Sequence, residues 1–332
     1  MPSKKLRKVL RVNDALLVYK NPKPNYEIEG INMQVDSTPF ERRIRARALV
    51  VYAILAYIAT LISFLILRNF LPAWFLYPDP LPEALSGFLL YVFFLLFTFR
   101  MLSRSGLSYR RLLGAFPGWG KLVRYSLWAV PLIILSLAAV YLLFFPLSFF
   151  FPGLVKSWLI DFYPTLIWTS GEKYVLANLL NFLMIVIIAP VFEEFFFRGI
   201  LLTRWTVKWR VVPAVIVSSV AFSVPHVINL IGMFCVGCVL AVFYIRTKSL
   251  FVPISIHFVN NLVAWIIALL GIRFDILTPY TTITEFQESW WMGLLAIVIS
   301  IPCVILFWRR YILNIDWRVP YLTEFPNSEN NL

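Results

Sequence analysis

The chain has 332 residues, 60% of them hydrophobic and only 14% charged, with a net charge of +13 and a mean hydropathy of +0.79. A soluble domain of this length is far less apolar, so that class is excluded. The basic excess borders apolar runs instead of forming a domain of its own, which argues against nucleic acid as a partner.

Residues 1–45 mix charge, Pro and Asn without periodicity. They read as an N-terminal tail, with room for a short amphipathic helix over 6–18. Charge-free runs follow at 48–67, 84–99, 125–155, 174–192, 211–245, 250–270 and 289–308. A helix needs roughly 20 apolar residues to cross the hydrocarbon, and most of these runs fit one crossing. The run 211–245 is too long for one: at ~1.5 Å per residue it spans ~50 Å. It predicts two helices hinged near Pro225, at least one of them stopping at depth. The run 125–155 holds Pro131, Pro146 and Pro152 and predicts one kinked helix followed by an irregular tail. The expected fold is all-α: a polytopic membrane protein with about eight transmembrane helices, some short or kinked. Its membrane domain covers 46–310, and 311–332 form a C-terminal tail.

Lys and Arg set the expected orientation. They crowd residues 1–47 and the loop 100–124, then recur at Arg204, Lys208 and Arg210, at Arg246 and Lys248, and at Arg309 and Arg310. The alternate loops carry few. Under the positive-inside rule eight spans close without conflict, with both termini cytoplasmic. The chain reads as an integral, multi-pass protein of the plasma membrane.

Two glutamates and an arginine then stand out in the apolar stretch PVFEEFFFRGIL, at Glu193, Glu194 and Arg198. An ionisable group inside a bilayer is costly and usually has a partner or a function. Positions four apart on a helix share a face, so Glu194 and Arg198 can neutralise each other. Glu193 points about 100° away from Glu194 on a 3.6-residue helix and is left without an evident partner. The chain has two histidines. His226 lies in AFSVPHVIN and His257 in PISIHFVNNLV, both apolar, with Asn261 one turn after His257. Counted at ~1.5 Å per residue from the flanking basic residues, Glu193 lies ~16 Å deep, His257 ~13 Å and His226 ~24 Å. A break at Pro225 brings the last level with the others. Cys235 and Cys238 have the spacing of a redox pair, but beside Gly232 and Gly237 in an apolar span they read as small residues packing between helices.

Such a cluster suits attack of water on a peptide carbonyl. Carboxylates in apolar sites serve as bases near neutral pH. A histidine beside one helps hold and deprotonate a water, and a second histidine with an amide can donate to a developing oxyanion. The same Glu193, His226 and His257 are also a ligand set for hydrolytic zinc. The zinc reading lacks an H-E-x-x-H motif. It also lacks an acid near either histidine to anchor the ring from behind. A buried carboxylate further admits proton-coupled transport, but no internal repeat is present.

The order E-E-x-x-x-R, F-x-x-x-H, H-x-x-x-N on successive spans resembles the CAAX prenyl protease and bacteriocin-processing family of intramembrane proteases. The motifs stand here as EEFFFR at 193–198, FSVPH at 222–226 and HFVNN at 257–261, within a core at about 174–270. The resemblance implies an endopeptidase in which Glu193 and His226 activate water and His257 with Asn261 form the oxyanion site. In it Glu194 and Arg198 hold the glutamate helix in place. It implies a peptide or lipidated protein as substrate, with membrane lipid as partner. It favours no cofactor, with zinc as the competing description. A non-catalytic relative, an immunity or scaffold protein, is the alternative.

Overall fold

In hydrocarbon a chain must satisfy its backbone groups internally, and apolar runs of this length do so as helices. A computed structural model of the chain describes residues 40, 43–67, 70, 80–161, 166–168, 174–226, 229–274 and 280–322. Most of the expected N-terminal tail, including 6–18, lies outside the described residues, as does 323–332. Among the described residues no strand is present, and the one isolated β-bridge joins Gly114 to Ser249. Seven helices among the described residues are long and apolar enough to cross a membrane, and an eighth, shorter apolar helix covers Val211–Ser223. The all-α, eight-helix expectation holds.

Helices α1 (Ala46–Leu67) and α2 (Leu81–Ser103) pack side by side. Short α3 (Tyr109–Leu113) and amphipathic α4 (Trp119–Ser126) lead into α5 (Ala129–Phe150). Pro146 sits inside α5. The irregular tail expected after it is instead helical, an α-turn at Pro152–Val155 running into a π-turn at Lys156–Asp161. Pro152 starts that turn, where a missing N–H is not needed.

The long helix α6 (Tyr174–Trp209) carries the glutamates and is not uniformly α. It widens into π-turns at Leu183–Ile188 and Glu194–Leu202, with an α segment, Ala189–Glu193, between them. Pro190 explains the first widening. A proline inside a helix has no N–H to donate and its ring crowds the preceding turn. Ala189 donates to the carbonyl five residues back, Met184. The Ile185 carbonyl would next receive Pro190, which has no hydrogen to give. Single-turn π insertions of this kind occur often at functional sites.

The run 211–245 divides as expected into α7 (Val211–Ser223) and α8 (Leu230–Thr247). At ~1.5 Å per residue α7 is ~20 Å long, too short for a full crossing. The two helices approach closely at Gly237, where a Cβ would lie 2.9 Å from the Cβ of Ser219. Helix α9 (Phe251–Phe274) bears His257 and Asn261. Its start is pinned from α3: Leu250 donates its N–H to the Leu113 carbonyl at 2.8 Å, and the Tyr244 hydroxyl donates to the Leu112 carbonyl at 2.8 Å. Gly114, at φ +69°, makes that approach possible, since a Cβ there would stand 1.9 Å from the Lys248 carbonyl oxygen. Helices α10 (Ile283–Glu288) and α11 (Trp290–Phe307) complete the bundle. Beyond them Tyr321 is buried, its ring edge-on to Phe40 at 4.8 Å and its hydroxyl accepting from the Ser108 N–H at 3.3 Å.

A cavity of about 270 Å³ among α5, α8 and α11 is lined by apolar side chains and by Cys235, Cys238 and Cys303. All three thiols are free. The small cysteines thus sit between helices, as their surroundings suggested, and leave space where larger side chains would fill it.

Candidate active site

The face of α6 that carries Phe192, Phe196 and Ile200 is buried against α2, with the Phe94 ring 5.3 Å from Phe192 and 5.0 Å from Phe196. That packing fixes how α6 is rotated, and so where the two glutamates point. They point to different neighbours.

Glu194 is fully buried and Arg198 is 1% exposed. Arg198 Nη1 donates to Glu194 Oε1 at 2.7 Å, which is the ion pair expected from their spacing. The arginine makes two further contacts that the sequence does not show. Its Nη2 donates to the Gly237 carbonyl of α8 at 3.3 Å, and its guanidinium lies 4.2 Å from the centre of the Phe222 ring of α7. One buried cation therefore ties α6, α7 and α8 together.

His257, 5% exposed, donates from Nδ1 to the same Glu194 Oε1 at 2.8 Å. This corrects the expectation that no acid stands near either histidine. Residues 194 and 257 are far apart in sequence, and the packing of α6 against α9 brings them together. The carboxylate side of an ion pair can only accept, so the shared hydrogen is on Nδ1 and Nε2 is left outside that bond.

His226 has the same polarity for a different reason. After Ser223 the chain tightens: the His226 N–H bonds to the Ser223 carbonyl, three back, at 2.9 Å. The Phe222 carbonyl is thereby left for the His226 ring, whose Nδ1 lies 2.9 Å from it. A carbonyl only accepts, so Nδ1 again carries the hydrogen and Nε2 is free. The Phe222 ring centre lies 5.0 Å from that of His226 and 5.8 Å from that of His257, so both imidazoles neighbour one aromatic ring.

Asn261 is held at both ends. Its Nδ2 donates to the Ile185 carbonyl at 2.9 Å, and its Oδ1 accepts from Asn260 at 3.3 Å. Ile185 is the residue whose helical partner Pro190 cannot supply. A second Nδ2 hydrogen of Asn261 remains for another acceptor.

Glu193 is half-buried and has one donor, the Tyr91 hydroxyl of α2, at 2.5 Å from its Oε1. Its Oε2 is buried without a hydrogen-bond partner. The expectation of an unpartnered Glu193 is thus corrected by a residue the sequence reading missed. The available signal was a tyrosine hydroxyl inside the otherwise apolar run 84–99. Among the described residues no hydrogen bond joins Glu193 to either histidine or to Asn261. The structure brings Arg198, His226 and His257 around Phe222, joins Glu194 to Arg198 and His257, and anchors Glu193 and Asn261 from α2 and α6.

A zinc ion would find both Nε2 lone pairs available and both rings held from behind by acceptors, the arrangement that suits histidine ligands. The third ligand is the difficulty. Among the described residues no three of His, Cys, Asp and Glu cluster so as to hold an ion. The residues therefore do not fit a three-ligand metal as they stand.

Residues 175–263 match the family model described as type II CAAX prenyl endopeptidase Rce1-like. That stretch contains all seven motif residues, and the resemblance drawn from them is borne out. The chain is also 29% identical over 158 residues to an uncharacterized 24.3 kDa protein of Escherichia coli, covering 46% of this chain and 68% of that protein. No solved structure matches. The family match supports a CAAX-type intramembrane protease.

Proposed function

We propose that the chain is an endopeptidase that hydrolyses a peptide bond near the cytoplasmic face of the membrane, with Glu193 and His226 activating water. The observation that carries this reading is the contrast between the adjacent carboxylates. In both, Oε2 is buried without a hydrogen-bond partner, but Glu194 is fully buried with its Oε1 held by a cation and a histidine, whereas Glu193 is half-buried with its Oε1 held by one tyrosine hydroxyl. Only the second can take up a proton without dismantling the bundle.

In the proposed reaction water donates one hydrogen bond to Glu193 Oε2 and one to the His226 Nε2 lone pair. Its oxygen attacks the carbonyl carbon as its proton passes to Glu193. The carbonyl oxygen becomes an oxyanion, which accepts from the second Nδ2 hydrogen of Asn261 and from His257 Nε2. His257 donates there only as the imidazolium, because its Nδ1 hydrogen is already given to Glu194. Two carboxylates, Arg198 and a charged His257 sum to zero, so the buried cluster stays balanced in that state. The proton on Glu193 then passes to the amine nitrogen as the C–N bond breaks. CAAX-like or small peptides, lipidated or not, are the proposed substrates. The positive-inside reading of the basic loops, with both termini cytoplasmic, supports scission on that side at a plasma membrane.

The test is purified protein in lipid with a panel of lipidated and unlipidated peptides, compared with Glu193→Gln. The expected result is loss of cleavage by about 10³-fold or more, since no other group replaces the base, with an unchanged thermal midpoint. Cleavage retained in Glu193→Gln would overturn the reading.

A further inference from the structure

Tyr91 is a polar side chain at the middle of an apolar span, and its position is set by its neighbours. Its ring meets Phe192 edge-on at 5.8 Å, and Phe94, nearly one turn on, packs against Phe192 and Phe196. The aromatic row between α2 and α6 therefore delivers one hydroxyl to one place, Glu193 Oε1. A buried tyrosine hydroxyl ordinarily finds a partner, but a backbone carbonyl or a serine would have sufficed. This one reaches the carboxylate that the mechanism needs.

We infer that Tyr91 is a positioning residue for the general base: its hydroxyl caps Glu193 Oε1, fixes the carboxylate's orientation and leaves Oε2 as the oxygen that takes the proton from water. This rests on the reading of Glu193 as the base. Three observations support it. Among the described residues Glu193 has no other hydrogen-bond donor, whereas Glu194 beside it has two. The uncapped oxygen is Oε2, buried and without a partner. Tyr91 and Glu193 belong to different helices, so the bond also fixes the carboxylate against rotation about its own side chain.

Loss of the bond that orients a catalytic group slows a reaction about 10- to 100-fold. Tyr91→Phe removes the hydroxyl and keeps the ring contact with Phe192. The expected result, on a peptide that the parent cleaves in lipid, is a kcat reduced about 10- to 100-fold with KM and thermal midpoint little changed. The double variant Tyr91→Phe/Glu193→Gln is expected to be no slower than Glu193→Gln alone, because the tyrosine acts only through the carboxylate. Parent-like kcat in Tyr91→Phe, with Glu193→Gln inactive, overturns this inference and leaves the base assignment standing. Activity in Glu193→Gln overturns both. A Tyr91→Phe protein that loses its fold, or changes KM alone, assigns the hydroxyl a purely structural role and also overturns the inference.

Discussion

His257 and Arg198 share a single oxygen of Glu194, at 2.8 and 2.7 Å. The carboxylate is therefore not a simple partner to the arginine four residues on. It joins an ion pair internal to α6 to a histidine on α9, and through Arg198 it reaches the Gly237 carbonyl on α8.

Removing either charge should unbalance a fully buried ion pair. Arg198→Ala leaves Glu194 ionised and buried, and breaking such a pair costs about 3 to 5 kcal/mol. The expected outcome is a marked fall in folded protein and thermal midpoint in detergent. Arg198→Lys should recover only part of it, since an ammonium cannot match the planar fork that meets Oε1 and the Gly237 carbonyl together. Glu194→Gln should lose both stability and activity, because it strands Arg198 and weakens the hold on His257. A Glu194→Gln protein that is well folded but inactive, beside an active Glu193→Gln, would reverse the roles of the two glutamates.

The number of spans was legible in the sequence because hydrocarbon thickness and charge exclusion act on each run separately. The hinge at Pro225 was legible for a similar local reason. The Glu194–Arg198 pair followed from helical spacing alone. What could not be read was anything set by how helices meet. The bond from His257 to Glu194 depends on how α6 meets α9, and the π-turns of α6 leave apolar composition unchanged. Pro190 was in plain view, but its consequence is a carbonyl at Ile185 answered from another helix. Tyr91 was hidden because tyrosine is common near membranes and its hydroxyl has no periodic signature.

The link between Pro190 and Asn261 separates structural from chemical work at one residue. Asn261→Ala removes the donor to the Ile185 carbonyl, and leaving a buried acceptor unpaired costs about 1 to 3 kcal/mol. Pro190→Ala restores an N–H that can reach the same carbonyl in the register already used by Ala189 and Met184. The double variant Pro190→Ala/Asn261→Ala should therefore recover the thermal midpoint lost in Asn261→Ala. It should not recover cleavage, which falls about 10²-fold or more when an oxyanion donor is removed. Recovery of both would make Asn261 a structural residue and leave the oxyanion to other donors.

Metal dependence is the remaining fork, and the two histidines make it sharp. Each has its Nδ1 hydrogen engaged, His226 by the Phe222 carbonyl and His257 by Glu194. Each therefore presents Nε2, which as a lone pair suits an ion and, for His257 as imidazolium, suits an oxyanion. The third candidate ligand is Glu193, whose capped oxygen is held by Tyr91 on α2. No three-residue ligand cluster forms among the described residues. A water held between Glu193 Oε2 and His226 needs only hydrogen-bond reach from each, a looser demand than coordination at about 2.0–2.2 Å from every ligand. The expected outcome is activity that persists after exhaustive treatment with a strong chelator, in a sample whose metal content is measured and well below stoichiometric. His257→Ala should abolish that metal-free activity, and His226→Ala should lower it. Activity that disappears with the metal and returns on adding zinc at one equivalent would sink the glutamate mechanism, and would require Glu193 to leave Tyr91 or rotate so that Oε2 meets both Nε2 atoms at an ion.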